Sequence, residues 1–296
     1  MRSLRVPEDV EWELVVVNNA CTDNTDEIVV KHAGSLPIRL IHESTPGKSH
    51  AANRAVAESR GELILWTDDD VLVDPDWLAS YVSAAKKFPD FAFYGGSIDP
   101  WFEITPPSWI MNHIDFLGGV YAVRRADAGF KSLGPGEWAW GANMAIRRSV
   151  HLQYPFDVRI GPCGLDQVRG EEVLLQQKLV DAGYRGAMVG GARVRHYIPA
   201  ERLCRKYVGG WFRGDGRSSA RLEGPQDCVH FMGFPRYALR KYLAARLDHA
   251  RQFPGSRRWV ETFTASAQSE GFLLEAREQH RMASGKDRGH ITGVSP

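Results

Sequence analysis

Three adjacent aspartates, Asp68 to Asp70, end a short apolar stretch of the chain. Like charges placed side by side repel one another unless water screens them or a cation offsets them. Asp68 and Asp70 stand two residues apart, so both carboxylates can approach one hard divalent cation, which takes further ligands from water or phosphate. A solvated turn explains an isolated acidic triplet equally well, and the triplet alone leaves both interpretations open.

The helix that follows has its own candidate cap. Asp74 followed by Pro75 predicts an N-cap and a first helical residue directly before DWLASYVSAAKKF. The three aspartates are therefore not needed to begin that helix.

A second polar cluster follows an earlier apolar run, WELVVVNN. Asn18, Asn19 and Asp23 lie at the end of this run. Ligands of α/β sheets collect beyond the carboxyl ends of the strands, so we expect these side chains near the aspartates. A turn rich in Asn and Asp is the alternative interpretation.

The elements that must position these groups alternate in type. The runs WELVVVNN, PIRLIHE and ELILW indicate strands, and the segments 25–34 and 47–61 between them indicate helices. This alternation predicts an α/β fold with a Rossmann-like, mostly parallel sheet flanked by helices. From about Pro199 onward the pattern is helical and rich in Arg and aromatic residues.

Composition excludes several classes of protein. Of the 296 residues, 43% are hydrophobic and 25% are charged, which is typical of a globular protein. Lys and Arg number 37 and Asp and Glu 36, so charge gives no reason to expect nucleic-acid binding. No apolar run is long enough to span a bilayer. The four scattered cysteines favour reduced thiols in a cytoplasmic protein.

Four segments in a fixed order resemble glycosyltransferase family 2, whose members have the GT-A fold. They are VVVNNACTDNTDEIV, GKSHAANRAVAESRGELILWTDDDVLVDPDWL, GANMAIRRSV and GEEVLLQQKLVDAGYR. The resemblance implies transfer, with inversion, of a sugar from a nucleotide-sugar donor (expected to be UDP- or GDP-linked). It also implies a carbohydrate or lipid-linked acceptor and Mg²⁺ or Mn²⁺ as cofactor.

The resemblance also implies roles for single residues. The expected metal-site residues are Asp70, Asp68 and His196. The expected nucleotide-sugar-binding residues are Asn18, Asn19, Asp23, Lys48, Asp68, Asp69, Gly141 and Asn143.

Glu172 is the candidate general base and Glu171 the second candidate, since inversion needs a carboxylate opposite the leaving group. The alternative is that both glutamates only favour a helix N-terminus, an effect worth ~0.3–1 kcal/mol.

Family members begin with a strand that this sequence lacks, so we expect an N-terminal truncation or a degenerate copy. The expected organisation is a GT-A domain over residues 1–198, a helical extension over 199–284 and a flexible tail over 285–296. Within the extension, Trp211 to Ser219 is expected to form a surface loop.

Two features leave the function open. The segment Phe231 to Phe253 mixes aromatic and Leu residues with Arg and Lys. It is expected either to lie on the inner face of an anionic membrane or to pack on the catalytic domain. The alternatives to a glycosyltransferase are a non-catalytic nucleotide- or carbohydrate-binding relative and a nucleotidyltransferase.

Overall fold

The computed structural model describes residues 1–127, 129–162 and 168–284. They form two compact units. The first contains the described residues within 1–106, 114–164 and 170–200, and the second those within 107–113, 165–169 and 201–296. The domain boundary after residue 198 stays a prediction, and the expected tail at 285–296 lies outside the described residues.

Ten strands occur in the described residues. They are β1 (Leu14–Asn19), β2 (Ile38–Glu43), β3 (Leu63–Trp66), β4 (Val71–Val73), β5 (Phe91–Phe102), β6 (Phe130–Ser132), β7 (Met144–Arg147), β8 (Arg185–Ile198), β9 (His230–Phe231) and β10 (Phe234–Pro235).

The same residues form ten α-helices. They are α1 (Thr25–His32), α2 (Lys48–Glu58), α3 (Trp77–Lys87), α4 (Ser108–Met111), α5 (Ile114–Leu117), α6 (Arg148–His151), α7 (Glu171–Asp181), α8 (Arg205–Glu223), α9 (Arg236–Ala250) and α10 (Arg257–Ala283). No helix among the described residues is long and apolar enough to cross a bilayer.

The main sheet of the first unit has the strand order β3-β7-β5-β8-β4, with β6 also pairing with β8. Its longest pairing, β5 with β8, is parallel, and the short strands pair antiparallel. β1 and β2 form a separate parallel pair. The predicted α/β architecture with a parallel sheet and flanking helices is confirmed, with the short strands adding a mixed character.

Side chains on the two faces of β5 pack against different helices. Tyr94 belongs to the cluster that includes Trp77 and Tyr81 of α3. Its neighbour Phe93 belongs to a cluster that includes Leu175 and Leu179 of α7. Successive side chains of a strand point to opposite faces, which explains this division. Burial of each large side chain contributes about 1.5–3 kcal/mol to stability. Packing against the sheet therefore holds α7 in position.

The cap predicted for α3 is wrong by two residues. The helix begins at Trp77, and Asp76 occupies the N-cap position. The Asp74 carboxylate instead accepts a hydrogen bond from Asp76 N at 3.0 Å, in the turn before the helix.

In the second unit, α8 and α10 pack with their backbones in close contact. A Cβ atom on Gly216 would lie 1.9 Å from the Gln268 carbonyl oxygen, and one on Gly271 would lie 1.9 Å from the Arg213 carbonyl oxygen. The prediction of a loop at Trp211 to Ser219 is wrong, because this segment lies inside α8. Its glycines disfavour a helix locally, but they permit the close approach of α10 that stabilises it.

Candidate functional site

The beginnings of two helices and the end of one strand meet around Lys48. Its ammonium lies 3.1 Å from Glu171 Oε1 at the start of α7. The same ammonium lies 3.8 Å from Asp68 Oδ1, just after β3. Lys48 therefore links the acidic triplet to the acidic pair, two motifs that are about a hundred residues apart in sequence.

Local backbone geometry places Lys48 at this point. Gly47 has a φ of +130°, which glycine adopts readily, and its amide donates a 2.8 Å hydrogen bond to Asn19 Oδ1. The Lys48 amide donates to the Pro162 carbonyl at 3.0 Å. Although burial disfavours its charge, the carboxylates of Glu171 and Asp68 raise the pKa of Lys48 above its ordinary value.

The two glutamates at the start of α7 have different environments. Glu171 is buried and paired with Lys48. Burial and, to a lesser extent, the charge of Glu171 raise the pKa of Glu172 from 4.5 to about 7, although Lys48 partly offsets the rise. A carboxyl group that titrates near neutral pH can take up a proton and release it again, which is the property a general base needs.

A glycine keeps space open beside these charges. A Cβ atom on Gly141 would lie 3.6 Å from Lys48 Nζ and 3.9 Å from Glu172 Oε1. The structure thus brings Lys48, Asp68, Gly141, Glu171 and Glu172 of the predicted site residues together.

Asp70 and His196 form a second contact after the triplet. Their Oδ1 and Nε2 atoms are 3.3 Å apart. The His196 Nδ1–H donates to the Tyr121 carbonyl at 3.0 Å, so Nε2 is the atom that faces Asp70. Burial lowers the pKa of His196, but the Asp70 carboxylate outweighs that effect and the net pKa is raised.

The described protein side chains around Asp70 do not by themselves supply a complete set of metal ligands. In the ranges 1–127, 129–162 and 168–284, no three His, Cys, Asp or Glu side chains are arranged to hold a metal ion. The Asp70 carboxylate and the His196 imidazole are nevertheless suitable ligands for Mg²⁺ or Mn²⁺. The hydrogen bond to Tyr121 orients the imidazole as partners of metal-binding histidines usually do.

The cluster after β1 is engaged in local hydrogen bonds. Asn18 Oδ1 accepts from the Cys21 amide at 2.9 Å, and its Nδ2 donates to Asp26. Asp23 accepts from the amide and the hydroxyl of Thr25. These contacts match the turn interpretation. Asn19 differs, because it binds the loop that leads to Lys48 through Gly47 and through the Thr45 carbonyl at 2.7 Å.

Asn143 lies in the core, with 0% of its surface exposed. Its Nδ2 donates to the carbonyls of Ser97 at 2.9 Å and Ala192 at 2.8 Å. Its Oδ1 accepts from Trp77 Nε1 at 2.8 Å and from the Tyr81 hydroxyl at 2.7 Å. The whole amide is thus used inside the protein, so the expected contact of Asn143 with the donor sugar is corrected to a role in holding the Gly141 turn.

The remaining triplet residue, Asp69, is exposed.

Sequence reasoning missed Gln176, which is fully buried. Its Oε1 accepts from the Ala139 amide at 2.7 Å, and its Nε2 donates to the Ala139 carbonyl at 2.8 Å and the Glu172 carbonyl at 3.0 Å. Gln176 thereby joins the segment before Gly141 to the first turn of α7. Its spacing of four residues from Glu172 was the available signal.

Comparison with known proteins identifies the family of the chain. Residues 2–153, slightly more than half of the chain, match the family model described as Glycosyl transferase family 2. The chain belongs to glycosyltransferase family 2. The match includes the acidic triplet and Lys48 but ends before the Glu171–Glu172 pair.

Curated relatives of this family 2 chain share short stretches with it. The dolichyl-phosphate beta-glucosyltransferase ALG5C of Trichomonas vaginalis is 46% identical over 61 residues, which make up 20% of this chain and 18% of that protein. The uncharacterized glycosyltransferase YibD of Escherichia coli is 30% identical over 110 residues, or 37% and 32% of the two chains. The matched stretches span less than half of either relative.

A solved structure supports the fold over nearly the whole chain. The mannosyltransferase PcManGT from Pyrobaculum calidifontis, in complex with GDP-Man and Mn²⁺, superposes with a TM-score of 0.50. Sequence identity is 17%, and the alignment covers 99% of this chain and 70% of that one. The predicted GT-A fold of this family 2 chain is thereby confirmed.

Proposed function

We propose that this chain transfers a sugar, with inversion and metal assistance, from a nucleoside diphosphate sugar to an acceptor hydroxyl. The observation that carries the proposal is Glu172, a carboxyl group with a pKa near 7 that adjoins Lys48 and the acidic triplet. Membership of family 2 supports the reaction class, and the site residues supply the roles.

Glu172 is the general base in this proposal. It accepts the proton of the acceptor hydroxyl as that oxygen forms a bond to the anomeric carbon. The bond from that carbon to the donor phosphate oxygen breaks, and the nucleoside diphosphate leaves with the electron pair. Attack from the side opposite the leaving group inverts the configuration of the sugar.

Glu171 and Lys48 position and tune this base. Glu171 is buried and neutralised by Lys48, so it is poorly placed to accept a proton from a substrate. Lys48 also stands 3.8 Å from Asp68, where a positive charge favours the negatively charged diphosphate. Gly141 leaves room for the donor sugar between Lys48 and Glu172.

Asp70 and His196, with Asp68 beside them, are the residues that would hold Mg²⁺ or Mn²⁺. Such an ion would offset the negative charge that develops on the leaving diphosphate. The Tyr121 carbonyl holds His196 through Nδ1, so Nε2 keeps one orientation, towards Asp70. PcManGT was solved with Mn²⁺ and GDP-Man, which supports the same class of cofactor and donor for this chain.

The donor is proposed to be UDP- or GDP-linked and the acceptor to be a carbohydrate or a lipid-linked molecule. The similarity to a dolichyl-phosphate beta-glucosyltransferase supports a lipid-linked acceptor. The proposed location is the cytoplasm, with peripheral contact at the inner face of the membrane.

The experiment is a panel of UDP- and GDP-sugars incubated with the protein and Mn²⁺, with a chelator as control. Release of nucleoside diphosphate that depends on Mn²⁺ is the expected result. Release of sugar 1-phosphate, with transfer of the nucleotidyl group, would indicate a nucleotidyltransferase instead. Binding of a donor without turnover would support the non-catalytic relative, and absence of both binding and turnover would refute the proposal.

A further inference from the structure

One face of α9 carries apolar side chains that remain exposed among the residues that the structure describes. Leu243 and Leu247 are 51% and 59% exposed. They stand on the same helical stripe as Arg236, Arg240 and Arg251, since the intervals are those of successive turns. The opposite stripe is turned inward: Ala238 is buried, and His249 contacts the Trp259 ring of α10. The packing of α9 on α10 therefore leaves the Leu243–Leu247 face exposed.

Two further apolar groups flank this helix. The turn between β9 and β10 exposes Phe231 by 56% and Met232 by 77%, and Phe253 after α9 is 83% exposed. Met232 has a φ of +51° and Gly233 of +82°, as in a tight two-residue hairpin turn. A methionine in the left-handed region is unfavourable, and a side chain this exposed gains little compensating packing from the described residues.

The charges on the same segment are mostly positive. Five exposed basic residues lie on α9 or directly after it: Arg236, Arg240, Lys241, Arg246 and Arg251. None of the five forms an ion pair with any side chain in the described part of the chain. Asp248 is the segment's acidic residue, and it is already paired with Arg258 at 2.9 Å. The chain as a whole has a net charge of only +1, so positive charge is concentrated here.

We propose that the surface formed by α9, the Phe231–Met232 turn and Phe253 docks on an anionic lipid bilayer. Leu and Phe side chains would enter the boundary between headgroups and acyl chains, while Arg and Lys contact lipid phosphates. The aliphatic stems of Arg and Lys can lie along the bilayer and keep their charges at the headgroups. α9 lies flat in this arrangement and offers about 22 Å of contact, given its 15 residues.

Charge decides against a second copy of the chain as the occupant. A two-fold contact would place the same five cations opposite themselves, and that repulsion is unfavourable in an apolar interface. A bilayer that contains phosphatidylserine supplies both the apolar layer and the opposite charge.

The test is co-sedimentation of the full chain with vesicles of phosphatidylcholine alone or mixed with phosphatidylserine. We expect binding to the mixed vesicles only. Arg240→Gln/Lys241→Gln should weaken it by about fivefold for each charge removed. Leu243→Gln/Leu247→Gln should abolish it at physiological salt. The matched controls Lys31→Gln/Arg60→Gln and Leu152→Gln change exposed residues elsewhere and should bind as the parent does.

Equal binding to both kinds of vesicle, or equal losses in the controls, would overturn the proposal. Light scattering without lipid provides a second readout. The α9 face would be assigned to dimerisation by three results together. The molar mass of the parent would double as its concentration rises, Leu243→Gln/Leu247→Gln would remain a monomer, and the parent would not bind vesicles. Sugar transfer to a water-soluble acceptor should be unchanged in all these variants, so a failure of the proposed function is detected separately.

Discussion

Replacing Glu171 by glutamine should move the pH dependence of sugar transfer in a defined direction. Glu172 must be deprotonated to act as a base, so kcat/KM should rise with pH through its pKa of about 7. The negative charge of Glu171 is one of the causes that raise this pKa. The variant Glu171→Gln removes that charge and releases Lys48 to stabilise ionised Glu172. Both effects lower the pKa, so the acidic limb should move to lower pH.

The size of this shift follows from the geometry. Lys48 Nζ is 3.1 Å from Glu171 Oε1, and the Cβ position of Gly141 is 3.6 Å from Lys48 Nζ and 3.9 Å from Glu172 Oε1. The two carboxylates are therefore no farther apart than these distances combined, about 10.6 Å. At an effective dielectric constant of ~20, two charges at that distance repel by ~1.6 kcal/mol. Because about 10.6 Å is the largest possible separation, the expected shift is at least about one pKa unit.

The assay is the pH profile of kcat/KM for donor turnover, measured for the parent and for Glu171→Gln. Glu137→Gln is the matched control, because its exposed carboxylate binds Lys131 and the Gly134 amide, away from Glu172. A folded Glu171→Gln variant that is inactive at every pH would make Glu171 the base. A limb that does not move would show that Glu171 does not set the pKa of Glu172.

Three further variants test other parts of the account. Asn143→Ala removes four buried side-chain hydrogen bonds and should lower the free energy of unfolding by about 3 kcal/mol or more, measured by urea denaturation. A loss below about 1 kcal/mol would contradict the core role. Gly216→Ala places a Cβ atom 1.9 Å from the Gln268 carbonyl oxygen and should destabilise α8 by more than about 2 kcal/mol. In the control Gly210→Ala, the Cβ atom lies 4.0 Å from the Arg213 side chain, so this variant should stabilise α8 by up to about 1 kcal/mol. Equal melting temperatures of the two variants would refute this packing. Asp70→Asn should weaken Mn²⁺-dependent donor binding about 10- to 100-fold in calorimetry, and unchanged affinity would remove Asp70 from the metal site.

The sequence was most informative where the chemistry is local. The run before Asp68 and the alternation of strands and helices predicted both the fold and the edge at which polar groups collect. The pairing of Lys48 with Glu171 could not be predicted, because it depends on how α2 and α7 are placed by the sheet. Asn143 was misinterpreted for the same reason, since its partners at Ser97 and Ala192 lie more than forty positions away.

The helical structure of α8 depends on a contact that its sequence alone does not show. Gly209, Gly210, Gly214 and Gly216 make that segment a poor helix in isolation. Contact with α10 reverses the preference, because the missing side chains are what allows the two backbones to approach. Such a compensation becomes visible only when both helices are in place.

In the proposed mechanism, Glu172 accepts the proton of the acceptor in a site that first binds a sugar donor. The most direct measurement is donor affinity by calorimetry with Mn²⁺, side by side with the turnover rate, for the parent and Glu172→Gln. We expect Glu172→Gln to bind the donor within about threefold of the parent affinity and to turn it over more slowly by a factor of ~10²–10⁴. Turnover close to that of the parent in a folded Glu172→Gln variant would contradict it.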